Sequence, residues 1–127
     1  MKAAILTVAF CLCAAPAFAM TFSSIALSPN TGAWGQAHDF PTRGAADATA
    51  LGYCQQHSTQ PEDCRIVTWS QGEYCAAVAV HHKRDGSVVW GSDSGPNLDV
   101  ARAKAYANCV NERGARCDEI LVSVCSH

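Results

Sequence analysis

Positive charge is scarce in this chain. Nine lysines and arginines face eleven aspartates and glutamates in 127 residues, a formal net charge of −2 with histidines neutral. No basic run carries interleaved aromatics, so the chain lacks both the charge and the stacking groups that a phosphate backbone requires, and no nucleic-acid partner is expected. Long hydrophobic runs are scarce too: beyond the first 19 residues none reaches spanning length, so no membrane span is expected there. There is no Cys-x-x-Cys spacing, which argues against structural zinc. There is no Gly-x-Ser-x-Gly turn to present a serine nucleophile. No cofactor or metal ligand set is expected.

Cysteine, in contrast, is plentiful, with eight residues. Cys11 and Cys13 fall in an N-terminal segment that reads as an export signal. Lys2 supplies a short positive region, Ala3 to Ala14 is apolar, and Ala17-Phe18-Ala19 is a small-x-small cleavage pattern. Residues 1–19 are therefore expected to be removed, leaving a single exported domain over 20–127. A lipid-anchored product would need a cysteine directly after cleavage, and Met20 stands there. The six remaining cysteines, at 54, 64, 75, 109, 117 and 125, would then meet an oxidising periplasm or the cell exterior, where disulfides are the default. An even number leaves no spare thiol for catalysis.

The domain reads as two repeats, about 22–70 and 75–125. Ala46, Ala50 and Cys54 recur every four residues, and Ala101, Ala105 and Cys109 repeat them at a constant offset of 55. Residues four apart share one helix face, and a stripe this small lets a helix lie close to a sheet. Thr42 and Asn97 precede the two stripes as N-caps. A second cysteine follows each helix, Cys64 or Cys117, and then a β-branched run, Ile66 to Trp69 or Ile120 to Val124. Upstream, Ser24 to Leu27 corresponds to Ala77 to Val80, and Trp34-Gly35 to Trp90-Gly91. The turns between them, Pro29 to Gly32 and Asp85-Gly86, are hairpin sequences. Each half is thus expected to run strand, strand, helix, strand, giving an α+β fold with a mainly antiparallel sheet. Like folding of the halves pairs Cys54 with Cys64 and Cys109 with Cys117. It leaves Cys75 and Cys125 to each other.

Reactive groups are thinly spread. His81-His82 sits at a strand end, where neighbours point to opposite faces and suit one metal ion poorly. His38-Asp39 precedes the first helix and could form a base–orienter pair. His57, in the cysteine-bounded loop, and His127 are expected on the surface. Glu62-Asp63 and Asp118-Glu119 read as exposed loop charge. Trp69 lies in an apolar run and is expected in the core. Trp34 and Trp90 occupy equivalent hairpin positions; the core is the favoured place for both. Trp34, Trp90, His81 and His82 form the candidate binding surface if these residues face outward.

Gly32-Ala33-Trp34-Gly35, the Ala46/Ala50/Cys54 stripe, Cys64, Cys75 to Ala79, the Ala101/Ala105/Cys109 stripe, Cys117 and Val124-Cys125-Ser126 together resemble the domain-of-unknown-function 4189 family of small exported bacterial proteins. The resemblance covers nearly all of residues 20–127. It implies a duplicated α+β unit in an extracytoplasmic protein and brings no activity. The expected function is a secreted or periplasmic non-enzymatic module that binds another protein, such as an inhibitor, immunity factor or effector. The alternative is a small metal- or His-dependent hydrolase using His38 and Asp39, or His81 and His82.

Overall fold

The computed structural model describes residues 20–109 and 117–127; the expected signal peptide lies outside the described residues. In chain order the elements are β1 (Phe22–Leu27), β2 (Trp34–Phe40), α1 (Arg43–His57), a 3-10 turn (Pro61–Asp63), β3 (Arg65–Gln71), β4 (Cys75–His82), β5 (Val88–Gly95), α2 (Leu98–Asn108) and β6 (Glu119–Cys125). They form two three-stranded antiparallel sheets of the same order, β2-β1-β3 and β5-β4-β6. The sheets resemble each other down to register. Ala26 lies opposite Gly35 and Ala79 opposite Gly91, and a β-bulge interrupts both outer pairings at the same place, beside Ala26 and beside Ala79.

Side-chain size decides what each sheet face can accept. In β4 the alternate residues Ala76, Val78 and Val80 point one way, and Cys75, Ala77 and Ala79 the other. The branched set meets Ile25, Leu27, Val122 and Val124 in a core between the two sheets. The small set receives α2 through Ala101, Ala105 and Cys109. On the other sheet Ala26 and Ala37 receive α1 through Ala46, Ala50 and Cys54. The layers therefore run helix, sheet, sheet, helix. Burying a Val, Leu or Ile contributes about 1.5–3 kcal/mol, whereas an alanine methyl contributes about 0.8. The outer layers are accordingly weak in apolar area, and each carries covalent reinforcement.

That reinforcement is three disulfides: Cys54–Cys64, Cys109–Cys117 and Cys75–Cys125. The first two join a helix end to the start of the strand that follows, with Cα atoms 6.0 and 5.6 Å apart. The third links directly opposed residues of β4 and β6. Thr42 and Asn97 cap the helices, accepting from the Ala45 and Val100 amides at 3.1 and 2.9 Å.

Two expectations change. Helix α1 does not stop at Cys54 but continues to His57, so His57 is helical and not in the loop. Trp69 is only half-buried. It follows the bulge in β3, lies on the helix side near the sheet margin against Phe22, and is covered by the Arg43 guanidinium 4.2 Å from its ring centre. Val67, just before Thr68 at the bulge, belongs to the inter-sheet face instead.

Candidate functional site

A cleft of about 600 Å³ lies between β2 and the C-terminal half of α1. Its side chains are Thr31, Trp34, Gln36, His38, Tyr53 and His57, with the backbone of 32–35 between them. Close helix–strand contact builds it. A Cβ at Gly35 would fall within 3.0 Å of the Ala50 carbonyl oxygen, the Cys54 nitrogen and Tyr53 Cβ, so glycine there lets α1 press onto β2. The helix then places Tyr53 and His57 beside the strand. His57 Nδ1 lies 2.7 Å from the Tyr53 carbonyl, which ties the ring to the end of its own helix. Tyr53 stays 49% exposed. The buried Gln36 amide oxygen has no hydrogen-bond partner among the described residues. An orphaned acceptor of this kind costs about 1–3 kcal/mol until a donor reaches it.

The floor of the β1–β2 turn is rigid. Ser28, fully buried, donates to Asp63 Oδ2 at 2.9 Å and accepts from Thr31 at 2.7 Å and Ser58 at 3.1 Å. Asp63 also accepts from the Asn30 amide at 2.7 Å. Asp63 is thus a half-buried anchor, not the exposed loop charge its neighbours imply.

His38 sits at the rim, its Nδ1 3.0 Å from Asp39 Oδ2. Asp39 adopts φ 61°, where the β1–β2 register shifts, and accepts the His127 amide at 2.9 Å. The hydrogen bond from His38, then the one from the His127 amide, hold the Asp39 carboxyl below its ordinary value of 3.8. The base–orienter pair therefore exists as a contact, and it also fastens the C-terminal strand end to β2.

On the corresponding strand β5, Asp93 gathers Asn108 Nδ2 at 3.0 Å and Lys104 Nζ at 3.7 Å. Burial pushes its carboxyl up, but the Ser94 amide, Asn108 and Lys104 outweigh this and leave it below 3.8. Asp85 is lowered as well, by the Ser87 hydroxyl and amide. Groups depressed in the folded state add stability that is complete above their unfolded pKa and lost as pH falls through the folded one. Chemical unfolding should therefore show constant stability from pH 7 to about 5 and a decline below about 4. Asp93→Asn should flatten part of that decline.

The remaining candidates lie elsewhere. The cleft includes Trp34 and leaves Trp90, His81 and His82 outside. Trp34 and Trp90 are half-buried against the inter-sheet core, on edge strands of different sheets. Trp90 has the Arg65 guanidinium 5.9 Å from its ring centre. His81 faces Asp118 at 3.6 Å and His82 faces Glu119 at 3.1 Å; both acids are exposed, Asp118 just before β6 and Glu119 at its first residue. Among the described residues no three His, Cys, Asp or Glu side chains gather around a common point for a metal ion. Tyr53 and Gln36 were not singled out by sequence. The available signal was the offset of 55 that sets Tyr53 against Asn108.

A family model described as "Domain of unknown function (DUF4189)" matches residues 22–125. Protein Rv1269c and Protein MT1307 of Mycobacterium tuberculosis and Protein Mb1300c of Mycobacterium bovis are each 36% identical over 85 residues. The match covers 66% of this chain and 57% of each relative, so the chain spans little more than half the length of these proteins. No solved structure matches.

Proposed function

The chain belongs to the DUF4189 family, and on that footing we propose that it is an exported, non-enzymatic module that binds another protein. The observation that carries this reading is the cleft. It is of ligand size, combines two aromatic rings with an orphaned acceptor, and is lined by neither a carboxylate nor a cysteine. Trp and Tyr are the residues that most often anchor protein interfaces, because they bury large area at small entropic cost. The scaffold beneath is braced by disulfides, so little further ordering is needed on binding. The disulfides also support residence in the periplasm or outside the cell. Among the described residues no helix is long and apolar enough to cross a membrane.

Site-specific photo-cross-linking tests the reading. A cross-linker at Tyr53 should yield a discrete protein adduct from periplasmic or extracellular extract, and one at exposed Val100 should not. Equal labelling from both positions, or none from either, contradicts it.

A second reading, a small hydrolase, has one observation in its favour: the His38–Asp39 contact at the cleft rim. A stoichiometric metal ion in the purified protein, or hydrolysis abolished by His38→Ala, would favour it over the first.

A further inference from the structure

The two sheets finish their corresponding edges differently. β2 and β5 are outer strands, and an antiparallel edge strand turns the N–H and C=O of alternate residues outward. On β5 the outward carbonyls of Ser92 and Ser94, in the second half of the strand, are occupied. Asn108 Nδ2 donates to the Ser92 carbonyl at 3.0 Å, and Lys104 Nζ to the Ser94 carbonyl at 2.8 Å. Asp93 holds both side chains in place. Three side chains thereby close this edge, as soluble proteins commonly do to prevent unwanted strand pairing.

β2 has no such closure. The Ala33 carbonyl accepts from the Ser28 amide at 2.8 Å, so Ala33, Gly35 and Ala37 turn their backbone toward β1 and Trp34 and Gln36 turn theirs outward. The places of Asp93, Lys104 and Asn108 are held here by Ala37, Thr49 and Tyr53. Ala37 has no carboxylate. The Thr49 hydroxyl is used on the Ala45 carbonyl at 2.9 Å. Tyr53 stands at the side of the edge and lines the cleft. Among the described residues nothing bonds the outward groups of Trp34 or Gln36.

The open stretch has defined ends. It follows the turn at Gly32, φ 76°, and stops at Asp39, where φ 61° breaks the ladder. Within β2 the five residues from Trp34 to His38 remain, roughly 17 Å of strand. The repeat of outward donors and acceptors matches an extended polypeptide backbone, and other ligand classes do not reproduce it.

We propose that β2 receives an extended peptide segment of a partner protein as an additional strand, with one of its side chains seated beside Tyr53 and His57. The proposal rests on the binding-module reading and adds the mode of docking and the class of partner.

The test uses the disulfide-bonded protein and a phage-displayed library of random decapeptides. Selected peptides should bind and slow hydrogen exchange at the Trp34 and Gln36 amides. N-methylation of a peptide at alternate residues should weaken binding by up to about tenfold per site, and at the intervening residues much less. The triple variant Ala37→Asp, Thr49→Lys, Tyr53→Asn copies the closure of β5. It should keep the wild-type unfolding midpoint to within a few degrees and lose peptide binding at least tenfold. If that variant does not fold, the N-methyl series decides alone. Failure to select any peptide, or equal tolerance of N-methylation at every position, overturns strand addition. A protein adduct at Tyr53 would still leave the binding reading standing. Concentration-dependent dimerisation that protects the same two amides would assign the edge to a second copy of this chain and overturn the partner-peptide form.

Discussion

Gly35→Ala should destabilise the protein by about 3 kcal/mol, at the upper end of overpacking costs for the addition of a single methyl group. The new Cβ would meet backbone atoms of α1 and not the flexible end of a side chain. Strand and helix would have to separate, and the alanine stripe beneath would lose its contacts together. Gly91→Ala should behave alike, because its Cβ would meet the Asn108 carbonyl carbon at 2.5 Å and the Ala105 oxygen at 2.7 Å. Gly52→Ala in α1 is the internal control. Nothing lies within 4 Å of its Cβ, so the ordinary helix preference for alanine should stabilise by about 0.5–1 kcal/mol. Urea unfolding of the three variants checks this; equal effects at Gly35 and Gly52 would remove the close helix–sheet contact from the account.

Removing the Cys75–Cys125 bridge as a double serine variant should have a larger effect still. The bridge closes a separation of 50 residues, against 10 for Cys54–Cys64 and 8 for Cys109–Cys117. Loop-closure entropy then gives about 4 kcal/mol for the long bridge and about 2.5–3 for each short one. For a domain of this size the whole stability is about 5–15 kcal/mol, so the long bridge is a large share of it. Thermal unfolding should rank the three double variants in that order. Equal losses would show that the bridges act through local contacts in the folded state and not through the unfolded chain.

Much of the architecture could be read in the residues because repetition multiplied weak signals. One alanine stripe beside one cysteine says little, but two in the same order, each with its cap and its Trp-Gly pair, set out both units. The structure joins the three cysteine pairs that this correspondence singles out. The stacking of the two sheets was less visible. It depends on β4 being buried on both faces, and Ala-Val alternation reads equally well as a strand with one covered face.

The cleft was hidden for another reason. Trp34 and His38 drew notice as residue types, but the residues that shape the edge matter through what they are not. Tyr53, Thr49 and Ala37 gain meaning only beside Asn108, Lys104 and Asp93, whose bonds to the β5 carbonyls appear in no sequence pattern. Trp69 was misplaced because a bulge in β3 changes which face the residues after it occupy. Asp63 was misjudged because its acceptors are satisfied by Ser28 and Asn30, more than 30 residues away.

Mass-spectrometric mapping of the unreduced native protein tests most directly whether the sulfurs brace the two units. The prediction is three linked peptide pairs, Cys54 with Cys64, Cys109 with Cys117 and Cys75 with Cys125, and no alkylation of any of the six. A Cys64–Cys75 peptide, or a free thiol at any of these positions, would contradict it.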